Sequence, residues 1–91
     1  MIIIHEIIDS TICDAQSAEV IAKNIIEEIY KHDYTFLLFR NIKIIHFDFY
    51  KKLFDILIKK IDKKVIIEKI RFQELSSFDI AMKGLIFDLL L

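Results

Sequence analysis

The chain has 91 residues, 55% hydrophobic and 30% charged, with one Gly, no Pro and no Trp. That is the length of one small domain, and the composition is unlike that of a disordered chain. Thirteen Lys and Arg against fourteen Asp and Glu leave a net charge of −1, which points to neither nucleic acid nor any other charged polymer as a partner.

Cys13 is the only cysteine, so an intramolecular disulfide and metal sites built from paired cysteines are excluded. The expected setting is reducing and cytoplasmic. Met1-Ile2-Ile3-Ile4 runs at once into His5 and Glu6, too short an apolar stretch for a secretion signal. The run Tyr34–Phe39 is among the longest apolar segments and falls far short of the roughly 20 residues a membrane span needs. The 21 Ile and 11 Lys against two Arg form a bias that AT-rich codon usage produces, as in many bacterial or phage genomes.

In chain order, Ile2–Ile8 is rich in β-branched residues and precedes the polar cluster Asp9-Ser10-Thr11, the pattern of a strand entering a loop. From about Ala15, Ala18, Ile21, Ala22, Ile25 and Ile29 repeat at helical spacing, with Asp14 placed to cap. On the opposite face, Glu19 to Lys23 and Glu27 to Lys31 are i, i+4 ion pairs in the favourable order. Thr35-Phe36-Leu37-Leu38-Phe39 is continuously apolar, as expected for a central strand covered on both faces. After a loop over Arg40–Phe47, Asp48 is placed to cap a helix whose apolar face is Tyr50, Leu53, Phe54, Leu57, Ile58 and Ile61. The charged stretch from Lys59 to Lys64 reads as its end and a solvated turn.

Val65–Phe72 reads as a third strand, two-sided at first and edge-like later. Ser76-Ser77-Phe78-Asp79 reads as a capping box with Asp in place of Glu, opening a last helix through Met82, Leu85, Ile86 and Leu89. Gly84 weakens that helix by roughly 1 kcal/mol relative to Ala. The expected class is α/β, with β-α-β-α-β-α order and a small parallel or mixed sheet.

The stretch from Phe36 through Ile45, followed by Phe49 and Leu53-Phe54, resembles the central strand, loop and helix of STAS-like domains, the small bacterial relatives of anti-sigma-factor antagonists. Lys69–Leu75, leading through Ser76-Ser77 into a helix, is similar to the family's last strand and helix. The resemblance spans most of the chain and rests mainly on hydrophobic spacing. It implies a STAS-like fold and a tendency to bind a protein partner, a regulatory ATPase or kinase-like protein. Two positions depart from the family pattern. Leu38 stands where members often carry Asp, and His46-Phe47-Asp48 stands where small residues or Ser precede the helix. No Ser or Thr occurs between Asn41 and Lys64, so a phosphoswitch at that position is not expected.

His46 and Asp48 lie two apart near a predicted helix start, where they serve either a partner surface or an acid–base pair; capping by Asp48 explains the pair without catalysis, and no oxyanion donor can be named. His5-Glu6, Cys13-Asp14 and His32-Asp33 sit on separate segments with no metal-ligand spacing. Cys13 lacks any nucleophile signature and reads as a small buried side chain. The Lys pairs of the second long helix are interleaved with Asp48, Asp55 and Asp62 and read as a solvated face. With Gly84 the only glycine, no loop can cradle phosphate, and no cofactor is expected.

The expected function is therefore a non-enzymatic interaction module, with Asn41, His46, Asp48 and Lys51 facing the partner. The tail offers apolar groups on more than one side of its helix, so Leu85, Phe87 and Leu90 are expected at a homodimer or partner interface. Two rivals stand beside it. One is a phage or mobile-element protein that inhibits a host enzyme such as a defence nuclease through the same kind of surface. The other is a small enzyme using His46 and Asp48.

Overall fold

The computed structural model describes residues 1–90, and side chains through residue 89. Its elements are β1 (Ile2–Ile3), α1 (Ile4–Ile8), β2 (Ile12–Cys13), α2 (Ala15–His32), β3 (Thr35–Leu38), β4 (Ile44–Ile45), α3 (Phe47–Lys60), α4 (Lys63–Lys69), β5 (Ile70–Gln73) and α5 (Ser77–Leu90). The class is α/β with parallel strands, in two sheets instead of one. The main sheet has the order β1-β3-β5, and β2 and β4 form a separate parallel pair.

β3 is central, as its sequence predicts, with Ile2 opposite Leu37 on one side and Thr35 opposite Ile70 on the other. The chain moves across the sheet in one direction, so right-handed crossovers put α2 and α3 on the same face. There α2 packs on α3 and α3 on α5. Ala18, Ile21, Ala22 and Ile25 of α2 are buried, as are Tyr50, Leu53, Phe54 and Leu57 of α3. Both apolar faces are the ones the sequence marks. Each large side chain buried there contributes about 1.5–3 kcal/mol. Among the described residues, no helix is long and apolar enough to cross a membrane.

The predicted coverage of β3 is complete on one face and partial on the other, where Leu38 is buried at 8% exposure and Phe36 is half-buried. Strand alternation turns Thr35 and Leu37 toward the helices, and Leu37 joins the continuous core. Phe36 and Leu38 point the other way, beside Ile3, Arg71 and Gln73 by register, and lie outside that core.

Two predicted strands are largely helical. Over Ile2–Ile8 only Ile2–Ile3 pairs with β3, and Ile4–Ile8 is a helix ended by Asp9 in the left-handed region at φ 51°. A strand would place Glu6 in the same row as Ile4 and Ile8; a helix buries Ile4, packs Ile8 against the core and leaves Glu6 in solvent. The same logic converts the front of Val65–Phe72. As a strand it would align Glu68 with Ile66 and Ile70, whereas α4 buries Ile66, and Ile70 follows at the start of β5, with Glu68 exposed. The predicted turn after Lys59 is accordingly a brief break at Ile61-Asp62 between two helices.

Among the described residues, one buried side-chain polar atom has no hydrogen-bond partner. Thr35 is 1% exposed, and its Oγ1 makes no hydrogen bond. A buried unpaired hydroxyl costs about 1–3 kcal/mol, and Val has nearly the same shape. Thr35→Val is therefore expected to gain about 1 kcal/mol and raise Tm by about 4–8 °C. A melt at or below the parent value would show that the hydroxyl is satisfied in solution.

Candidate functional site

The β2–β4 pair builds one end of the molecule. Thr11 carbonyl oxygen accepts from Lys43 N–H at 2.8 Å, and Cys13 carbonyl oxygen accepts from His46 N–H at 2.9 Å. The two strands run parallel and each leads straight into a long helix, β2 into α2 through Asp14 and β4 into α3 through His46. The N-termini of α2 and α3 thus open side by side. Cys13 and Ile45 turn inward, while their neighbours Ile12 and Ile44, register partners, are exposed on the outer side. Ile44 is 49% and Phe47 48% exposed.

A cleft at this end is lined by Asp14, Ala15, Gln16, His46, Phe47 and Asp48. A second lies between α2 and α3, where Asp48 meets Lys51, Lys52 and Asp55. Lys52 Nζ reaches Glu19 Oε1 across the two helices at 3.7 Å. Three of the four predicted partner-facing residues, His46, Asp48 and Lys51, therefore line two clefts that share Asp48. Asn41 lines neither. It sits in the turn after β3 at φ 64°, a left-handed conformation that Asn tolerates better than most residues, and this gives it a backbone role. The helix start also differs from the prediction. The N-cap of α3 is His46, without a side-chain cap bond, and Asp48 lies in the first turn, where its charge favours the positive end of the helix dipole.

Asp14 is the residue of this end that sequence reasoning placed only as a cap. Its Oδ1 accepts from Ser17 N–H at 2.9 Å and from Ser17 Oγ at 3.0 Å. These bonds hold the carboxyl below the usual carboxylate range, the Ser17 backbone contributing most and the His46 charge adding in the same direction. Ile12, Ile44 and Phe47 carried no signal in the sequence as a group, because only the pairing of two short, distant strands brings them together.

Beneath this surface lies a buried polar link. Tyr50 Oη, on a fully buried side chain, donates to Asp79 Oδ1 at 2.9 Å. Ser76 Oγ accepts from Asp79 N–H at 3.1 Å and donates to Asp79 Oδ2 at 2.7 Å; this is the hydroxyl half of the predicted capping box, with the Asp79 carboxylate turned to the Ser76 hydroxyl instead of its backbone N–H. Burial raises the Tyr50 phenol, and the hydrogen bond to Asp79 raises it further. The Cys13 thiol is buried and pushed up to about 12, first by desolvation and then by the charges of Asp14 and Asp79. A thiol so placed is a core group and a poor nucleophile. Among the described residues, no group of three His, Cys, Asp or Glu side chains is gathered to hold a metal ion.

The chain matches no protein-family model, no curated protein and no solved structure.

The Asp14 cap gives this end a pH signature. A carboxyl whose folded value is depressed adds stability above its ordinary value of about 3.9 and loses it as pH falls through the folded value. Asp14→Ala is expected to melt below the parent at about pH 7, with the gap narrowing below about pH 4. Thermal melts of both proteins across that range test it; a constant gap would remove the ionised carboxylate from the cap.

Proposed function

We propose that the chain is a non-enzymatic, STAS-like protein-interaction module of regulatory type, and that it binds its partner with the end formed by β2, β4 and the first turns of α2 and α3. The single observation carrying this reading is the exposed apolar trio Ile12, Ile44 and Phe47 next to a polar rim of Asp14, His46, Asp48 and Lys51. An apolar centre ringed by polar groups is the usual anatomy of a protein interface, and one aromatic anchor often dominates it. Phe47 is that anchor here. The inert setting of Cys13 agrees with a binding role, and the STAS-like resemblance favours a regulatory ATPase or kinase-like protein as the partner.

The test is affinity capture from the source cell with the parent, Phe47→Asp and Leu85→Asp as baits. A protein retained by the parent and by Leu85→Asp but lost with Phe47→Asp supports the reading; loss of an anchor costs about 2 kcal/mol or more. Equal retention of every captured protein by Phe47→Asp overturns it.

A second surface supports self-association. On α5, Phe78, Ala81, Leu85 and Leu89 fall at i, i+3, i+7 and i+11 and all are exposed, Phe78 at 69% and Leu89 at 73%. This is a helical apolar seam, and we assign it to a homodimer. Leu85 belongs to it as predicted. Phe87 does not, because its ring packs edge-on to Phe54 at 4.9 Å, and the side chain of Leu90 lies outside the described residues. Light scattering after size exclusion is expected to give a dimer for the parent and a monomer for Leu85→Asp/Leu89→Asp; a monomeric parent would refute the seam.

A further inference from the structure

A cleft of about 240 Å³ opens between α4, β5 and α5, on a surface the proposed partner site does not include. Its walls are Phe54, Ile66, Ile70, Phe72 and Phe87, with Ile67, Lys83, Gly84 and Asp88 completing the lining. Ligand pockets run from about 300 Å³ upward, and an apolar cavity of about 150 Å³ takes benzene. The space therefore suits one ring or a short chain.

Two features give the cleft chemical direction. Lys83 is half-buried, and its Nζ stands 4.4 Å from the centroid of Phe72. Among the described residues no carboxylate comes within ion-pair distance of it. The ammonium is partly desolvated, which lowers its affinity for the proton; with the Phe72 ring as its observed attraction, it is suited to an anion's oxygens. Asp88, the one acidic residue of the lining, is exposed to solvent, so its opposing charge is screened by water. The second feature is Gly84. Gly84 lines the cleft, and a Cβ built there would meet nothing within 4 Å, so a side chain can be added at this wall without a clash.

We propose that this cleft binds a small apolar carboxylate, its hydrocarbon part between Phe54, Ile66, Phe72 and Phe87 and its carboxylate on the Lys83 ammonium. The apolar walls supply the burial, and the Lys83 ammonium selects an acid over a neutral compound of the same shape.

Calorimetric titration of the full chain with octanoate and with neutral octanol tests this, alongside Lys83→Met, Gly84→Leu and Gly84→Ala. The expected result is saturable octanoate binding that weakens about tenfold or more in Lys83→Met, while octanol binds parent and Lys83→Met alike. Gly84→Leu fills the space and blocks both compounds, whereas Gly84→Ala keeps binding and melts higher. If Gly84→Leu does not fold, the octanoate-to-octanol ratio in parent and Lys83→Met decides alone. Equal affinity for acid and alcohol, undiminished octanoate binding by a folded Gly84→Leu, or no saturable binding overturns the proposal. None of these outcomes touches Phe47, so the partner reading stands or falls separately.

Discussion

The parallel direction of β1, β3 and β5 is the constraint on which the rest of the molecule depends. Parallel neighbours cannot be joined by tight turns, so the chain must leave each strand, cross over and return. With three strands in the order β1-β3-β5, both crossovers step the same way, and one layer of helices forms on one face. The first turns of α2, α3 and α5 then gather toward the edge where the strands end, the place where α/β sheets present their loops. Asp14, His46 and Ser76, the residues that open these helices, owe their common neighbourhood to that geometry.

The helix layer is tied together by a polar contact as well as by apolar packing. Tyr50 comes from the start of the buried face of α3, where a Phe would satisfy the packing alone. Its phenol needs an acceptor once buried, and Asp79 provides one from the first turn of α5. Because Asp79 also bonds back to Ser76, the start of α5, its cap and its angle against α3 are fixed by one carboxylate. At the strand ends the surface contacts are weaker. Arg40 meets Glu74 through two bonds where β3 and β5 finish, and Lys69 meets Asp33 where they begin. Exposed pairs of this kind are worth about 0–1 kcal/mol and serve register more than stability.

The parts legible in the sequence are those where one periodicity had no competitor. The faces of α2 and α3, the Asp14 cap, the Ser76 cap on Asp79 and the central place of β3 all followed from local spacing. Ile-rich segments defeated the reading at Ile4–Ile8 and Val65–Lys69, since β-branched residues favour strands locally while the positions of Glu6 and Glu68 decide for helix. The distinguishing information was one polar residue per segment. His46, Asp48 and Lys51 were recognisable as a group because they lie within two turns of one helix. Asp14 joins them through the parallel pairing of distant strands, β2 with β4 included, which no spacing along the chain encodes. The same holds for the cleft at Lys83, whose walls come from four separate elements.

The last helix inverts the usual arrangement of a surface helix. A helix at the edge of a domain normally buries its apolar stripe and shows its charges. In α5, Asp79 is turned to Tyr50 and Lys83 to the ring of Phe72, while Phe78, Leu85 and Leu89 face outward. Ile86 and Phe87 show that the inner side is packed as well. A helix apolar on two sides, with Asp79 and Lys83 engaged by its own domain, has the distribution of an element suited to lie inside an assembly. Exposed apolar side chains gather at the Phe47 end and along α5, and others stand apart from both, Tyr30, Tyr34 and Ile67 among them, as single exposed apolar residues do on an ordinary monomer. Two separated apolar surfaces let the proposed self-association and the proposed partner contact coexist, with the Lys83 cleft bordering the helix assigned to the first.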